Sequence, residues 1–130
     1  MKLLLALLLS ACAPGVDAAR QTLANTAKVL DASAKTFEQF DKDHQISIAR
    51  EYPPAIATEF IFKYRATREP LMKSFLVAGG VLTSAYALIP LLEHGLKKQR
   101  DFDALLVELF DASVAIRANL AKLNLPGGAL

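Results

Sequence analysis

The chain has 130 residues, 53% of them hydrophobic, with 15 Lys and Arg against 13 Asp and Glu and a single cysteine. No block of like charge supports nucleic-acid binding, and one cysteine cannot form a disulfide within the chain. The length suits one domain, and the abundance of Ala and Leu with no Trp predicts an all-α protein rather than a sandwich or barrel.

The first twelve residues have the layout of an export signal. Lys2 precedes seven apolar residues, and the segment closes with Leu9-Ser10-Ala11-Cys12. A charge, a short apolar core and small residues at a cleavage point are typical of secretory signals, and this core is too short to span a bilayer. The last four residues resemble the lipobox of bacterial lipoproteins. The resemblance covers the targeting segment alone. It implies cleavage before Cys12, diacylglycerol on its thiol and acylation of the new amino terminus.

Lipidation predicts the location of the protein. Two or three acyl chains hold a protein on a membrane effectively permanently. We therefore expect the protein to be attached to a membrane through lipidated Cys12. The residue after Cys12 is Ala13. An aspartate at this position resembles the inner-membrane retention signal of enterobacterial lipoproteins, so its absence favours the outer membrane, facing the periplasm. The predicted organisation is a signal peptide at 1–11, a lipidated tether at 12–17, a helical bundle domain at 18–124 and a flexible tail at 125–130.

The first predicted helix runs from Asp17 or Ala18 to Arg50, with Asp17 as a plausible N-cap. One amphipathic stripe repeats at steps of three and four residues. It comprises Leu23, Ala27, Leu30, Ala34, Phe37, Asp41, His44 and Ile48. Tyr52-Pro53-Pro54 ends the helix, because a residue before proline is pushed out of the helical region.

The second predicted helix begins at Pro54 and continues to about Lys98. Its stripe keeps the same rhythm through Phe60, Tyr64, Thr67, Leu71, Phe75, Ala78, Leu82, Ala85, Ile89, Leu92 and Leu96. Pro70 removes one backbone hydrogen bond and clashes with the preceding turn. This predicts either one helix kinked there or two nearly collinear helices, 54–68 and 70–98.

The third predicted helix runs from about Asp101 to Asn124 and ends at Leu125-Pro126-Gly127-Gly128. Its stripe is Phe102, Leu105, Leu109, Ser113, Ile116, Leu120 and Leu123, widened by Leu106, Phe110 and Val114. The connections around 51–53 and 99–100 are short, so successive helices must reverse direction. The sequence therefore predicts an antiparallel bundle of three long helices, or four helical segments if the second is split.

Residues 75–92 contain no charged residue. That length is at the threshold for a transmembrane helix. The stripe nevertheless continues the register of 60–71, which favours the central, most buried helix of a soluble bundle. In that arrangement Leu82 faces the core and Val81, rotated by about 100°, faces water. A membrane span is the alternative.

Candidate chemistry is sparse. Asp41–Gln45 resembles the start of a calcium loop, but Ile46 and Tyr52 occupy the positions that require Gly and Glu. His44 and His94 have no second ligand at zinc spacing, and no serine lies in a Gly-x-Ser-x-Gly turn. The sequence therefore predicts no catalytic, metal or cofactor site, no small-molecule substrate and no enzyme.

Charged residues are densest just before Pro70, at Lys63, Arg65, Arg68 and Glu69. Arg65 and Glu69 are spaced for an i,i+4 contact. The cluster is either a solvated face or a docking patch for an acidic partner or a lipid headgroup.

These features together predict a membrane-tethered, non-enzymatic lipoprotein that acts as a binding or scaffold module in the cell envelope, through a protein partner or self-association. Such behaviour resembles that of secretion pilotins, although no pilotin-specific motif is present. One alternative is a spanin-like protein that bridges two membranes with a span at 75–92. Another is an exclusion or immunity lipoprotein of a phage or mobile element.

Overall fold

A computed structural model describes residues 16–123 and contains three α-helices, α1 (Val16–Glu51), α2 (Pro54–Glu93) and α3 (Gln99–Lys122). The predicted all-α class is confirmed. The predicted signal peptide, Cys12 and the tail at 125–130 lie outside the described residues. Asp17 lies in the first turn of α1, where the negative charge of its carboxylate interacts favourably with the positive end of the helix dipole.

Helix α2 is continuous from Pro54 to Glu93, so neither a break nor a kink at Pro70 is supported. Both Ala66 and Pro70 lie on the exposed side of the helix. Because Pro70 has no backbone N–H, the carbonyl of Ala66 lacks its usual hydrogen-bond donor within the helix. This carbonyl is on the exposed side and can accept a hydrogen bond from water instead. Pro54 occupies the first turn, where a missing N–H costs nothing.

The predicted end of the second helix at Lys98 was wrong, because a glycine turn ends the helix at Glu93. The Gly95 amide donates to the Leu92 carbonyl (3.1 Å) and the Leu96 amide to the Leu91 carbonyl (2.8 Å). This pair of hydrogen bonds is a Schellman motif, which requires the left-handed backbone that Gly95 adopts at φ 66°. The chain is thus reversed by a short, hydrogen-bonded turn.

Helix α3 begins two residues earlier than predicted, at Gln99. Asp101 lies in its first turn and accepts a hydrogen bond from the Lys98 amide at 3.1 Å. The carboxylate therefore caps the helix from inside the first turn rather than from the position before it.

Helices α1 and α3 both pack against α2. No Cα atom of α1 lies within 8 Å of one in α3 anywhere in residues 16–123. Residue numbers rise along α1 while those of their partners on α2 fall. The pairs are Arg20 with Glu93, Phe37 with Phe75, Asp41 with Arg68, and Gln45 with Arg65. Helix α2 is therefore the central helix.

The core consists of one stripe from each helix, and the predicted stripes of α1 and α3 are confirmed as buried or half-buried. Its fully buried large side chains are Leu23, Leu71, Phe102 and Ile116. Val114, predicted to widen the α3 stripe, is exposed. A smaller cluster of Ile48, Ala57 and Tyr64 joins α1 to α2, and Leu123 at the end of α3 packs against it.

The predicted contrast between Val81 and Leu82 was wrong. Val81 is buried, with 9% of its surface exposed, whereas Leu82 is half-buried against the same core. Val81 belongs to the same core cluster as buried residues of both neighbouring helices, such as Leu23 of α1 and Phe102 of α3. The buried side of α2 is therefore wider than the predicted stripe.

Candidate interaction surfaces

The outer side of α2 forms an exposed apolar surface, which we name the open face. Its residues share two properties: they are exposed, and none is charged. They are Leu76, Val77, Gly79, Gly80, Thr83, Ser84, Tyr86, Ala87 and Pro90. Leu76 is the most prominent, with 76% of its surface exposed. A Cβ atom added to either glycine would meet nothing within 4 Å, so no part of residues 16–123 covers this face.

Helix α2 was expected to be the most buried helix, and this expectation was wrong. It is the one helix in residues 16–123 that is long and apolar enough to cross a membrane, yet only 22% of its most apolar 18-residue window is buried. A core helix of a soluble bundle is mostly buried. The narrow core stripe leaves the remaining apolar surface of α2 without a partner.

The neighbours of this segment are polar. Because Arg20 pairs with Glu93 and Phe37 stacks on Phe75, residues 20–37 of α1 lie beside residues 75–93 of α2. That part of α1 exposes Lys28, and it exposes an ion pair between Asp31 and Lys35. In a bilayer centre each such charge costs roughly 2.5–3.5 kcal/mol on insertion scales. A bilayer around all three helices is therefore unfavourable.

The four charged residues predicted as a possible docking patch do not share one surface. Lys63 donates to Glu59 (2.6 Å) and thereby lowers the pKa of that carboxyl, while Glu69 pairs with Lys73 (3.0 Å). The anticipated contact between Arg65 and Glu69 does not form in residues 16–123, because Glu69 pairs with Lys73 and Arg65 donates to Gln45.

The two arginines of the predicted patch are directed toward α1 instead. Arg65 donates to the side-chain oxygen of Gln45 at 3.0 Å, and Arg68 forms an ion pair with Asp41. The predicted patch is thus divided between the α1–α2 contact and the outer surface of α2.

The pair of Asp41 and Arg68 is the most buried charged contact in residues 16–123, with each side chain 17% exposed. Tyr64 lies beside it, and the Arg68 guanidinium stands 6.0 Å from the Tyr64 ring centre. Burial, and then the neighbouring Asp41 carboxylate, raise the pKa of the Tyr64 phenol. Asp41 Oδ1 and the Tyr64 hydroxyl are both buried without a hydrogen-bond partner, so a small rotation that joins them would satisfy both.

Sequence reasoning missed this buried pair, although a signal was present. Asp41 stands within the apolar stripe of α1, and a carboxylate at a core-facing position requires a partner. His44 occupies the next stripe position and packs between Phe40 (5.2 Å between ring centres) and Tyr64 (4.6 Å). The cluster therefore serves as a polar and aromatic contact that fixes the register of α1 against α2.

Two further exposed apolar features lie at opposite ends of α2. At the α1–α2 connection, Tyr52 packs edge-on against Phe60, with 4.7 Å between ring centres, and Ile56 is exposed nearby. At the α2–α3 turn, Leu96 is 69% exposed and is followed by Lys97 and Lys98.

No protein family, curated protein or solved structure matches this chain. Within residues 16–123, no group of three or more His, Cys, Asp or Glu side chains is placed to hold a metal ion. The open face, with nine exposed residues and no charge, is the candidate interaction surface of the described part.

Proposed function

We propose that this chain is a lipid-tethered, non-enzymatic binding module of the bacterial cell envelope, built as an antiparallel three-helix bundle. The descending order of α2 partners along α1 and the short connections support the antiparallel arrangement. The lipobox-like segment ending at Cys12 supports the tether, and Ala13 after it favours the periplasmic side of the outer membrane.

The observation that carries the binding role is the open face. Leu76, Val77 and Tyr86 are exposed although α1 and α3 both pack on the same helix. Uncharged apolar surfaces of this kind mark contacts with another protein. The glycine pair at 79–80 allows a partner helix to approach the backbone closely. The partner is a second protein with an apolar helix, or a second copy of this chain.

A second candidate function is a spanin-like bridge in which 75–92 crosses a membrane. The length and apolar composition of α2 favour it. The charged surface of α1 beside this segment argues against it, because α1 would have to separate from α2 before insertion.

The two candidates are separated by exporting the chain from Ala13 behind an ordinary cleavable signal. A tethered module becomes a water-soluble periplasmic protein with strong helical circular dichroism and one cooperative unfolding transition. A spanning protein stays in washed membranes and is released only by detergent, and that result contradicts the proposed function. The chain with its own lipobox, which should fractionate with membranes, is the matched control.

A further inference from the structure

We propose that the α2–α3 turn, residues 94–98, is a second membrane contact, which inserts Leu96 into the interface of the membrane that holds Cys12. This inference rests on the lipid tether of the proposed function. It adds a defined orientation, in which the helices stand away from the bilayer and the α1–α2 connection lies far from it.

The position of the turn follows from contacts at one end of the molecule. Arg20, in the second turn of α1, pairs with Glu93, the last residue of α2. The start of α1 and the α2–α3 turn are therefore neighbours. Cys12 precedes Val16 by four residues, and four extended residues reach at most about 14 Å. An acyl chain on Cys12 thus holds the turn beside the membrane surface.

The turn presents an apolar side chain outward on a fixed backbone. In a Schellman motif the residue in the position of Leu96 commonly packs back onto the last turn of its helix. Here Leu96 is 69% exposed, although its amide is bound to the Leu91 carbonyl at 2.8 Å and the Lys97 amide donates to the same oxygen at 3.3 Å. Hydrogen bonds therefore hold the backbone that carries the exposed leucine in one conformation.

The charges around Leu96 suit an anionic lipid surface. Lys97, Lys98 and Arg100 form no ion pair within residues 16–123. The carboxylates nearby are already engaged: Glu93 pairs with Arg20, and Asp101 accepts the Lys98 amide. Basic side chains beside an exposed apolar residue bind anionic headgroups while the apolar group enters the interface.

The opposite end of α2 provides the contrast. Helix α2 has 40 residues, which corresponds to about 60 Å. Ile56 lies near the start of α2 and Leu96 lies just beyond its end, and both side chains are exposed. Both positions therefore accept a larger side chain without disturbing the core. A tether at Cys12 brings the Leu96 end to the membrane and leaves the Ile56 end distant.

The absence of Trp from the chain makes the test direct. Leu96→Trp and, as matched control, Ile56→Trp are each introduced into the full chain, which is processed in bacteria, purified and reconstituted into phosphatidylethanolamine–phosphatidylglycerol vesicles. Tryptophan emission is measured with and without lipids brominated in their acyl chains. We expect a shift to shorter wavelength and loss of most of the emission for Leu96→Trp, and neither for Ile56→Trp. Adding Lys97→Gln and Lys98→Gln to Leu96→Trp should reduce the quenching.

Two results would overturn the second contact. Unquenched emission from Leu96→Trp would show that the turn does not enter the membrane and would favour an acidic protein partner there. Equal quenching at both positions would mean that the helices lie flat on the membrane. The intact mass of the same sample reports the tether separately. If Cys12 is unmodified, the tether fails, and quenching of the unlipidated Leu96→Trp chain by phosphatidylglycerol vesicles then tests the turn alone.

Discussion

Asp41 on α1 and Arg68 on α2 form an ion pair across the helix contact, although 27 residues separate them in the chain. Each side chain is 17% exposed. The other ion pair between α1 and α2 in residues 16–123, Arg20 with Glu93, is more exposed. The pair of Asp41 and Arg68 is therefore the ion pair that most restricts how α1 can slide along α2. A shift by one helical turn would leave both charges in the contact between the two helices without a partner.

Arg68→Ala should lower the free energy of unfolding by about 2–3 kcal/mol, because it leaves the Asp41 carboxylate without its partner. This is somewhat less than the roughly 3–5 kcal/mol typical of a fully buried pair, since solvent still reaches both groups. Lys35→Ala is the control, because its pair with Asp31 lies on the surface and should contribute under about 0.5 kcal/mol. Urea denaturation measures both, and similar effects for the two variants would contradict the assigned role.

Tyr64 should make stability fall at alkaline pH. Its phenol pKa is raised in the folded protein above the unfolded value of about 10. Below pH 10 the phenol is neutral in both states and its contribution is fully present. Above pH 10 the unfolded state loses the proton first, so stability decreases as pH rises toward the folded pKa.

Tyr64→Phe removes this titration and should therefore flatten the loss of unfolding free energy between about pH 9.5 and 11. Tyr86→Phe is the control, because Tyr86 is exposed on α2. Chemical denaturation of the three proteins across this range gives the slopes. A slope that is unchanged in Tyr64→Phe would show that the phenol is not perturbed by folding.

Leu71 and Leu76 lie five residues apart on one helix, and their environments differ completely. Leu71 is fully buried, whereas Leu76 is 76% exposed on the open face. Leu71→Ala should cost about 2–5 kcal/mol in the free energy of unfolding. Leu76→Ala should stay within about 0.5 kcal/mol of the parent. A large loss at Leu76 in the isolated chain would mean that the open face is covered.

Much of this architecture could be predicted from the sequence. The stripes of α1 and α3 were placed correctly because each helix buries one narrow face, which a spacing of three and four residues records directly. The end of α2 at Glu93 was missed, since Leu96 continues the rhythm although the Gly95 backbone has already left the helix. Apolar spacing reports which side chains are suitable for burial, and it does not report where the backbone turns.

The open face could not be predicted, because its exposure depends on how many helices surround α2. Sequence showed that 75–92 is uncharged, and this suited a buried helix as well as a membrane span. Only the arrangement of α1 and α3 on one side leaves Leu76 and Tyr86 uncovered. The same arrangement covers Val81, which the sequence alone assigned to water.

Lipidation predicts a specific mass for the mature protein. The chain purified from membranes should begin at Cys12 and carry a diacylglycerol and an amide-linked acyl chain, and Cys12→Ser should remove both the lipid and the cleavage, because thioether formation requires a thiolate. Intact mass spectrometry measures the two proteins. An unmodified Cys12 in the mature parent chain would contradict the tether.

We propose that the open face of the tethered module binds another protein. The most direct test introduces a photo-crosslinking amino acid at Leu76 in the full chain inside living cells, with Ala32 on the exposed side of α1 as the control position. We expect one discrete crosslinked protein band at Leu76, which mass spectrometry identifies as a second copy or a partner. The band should be lost when Val77→Asp and Tyr86→Asp are added. Crosslinking at Leu76 to lipid alone, or to the same proteins as Ala32, would contradict it.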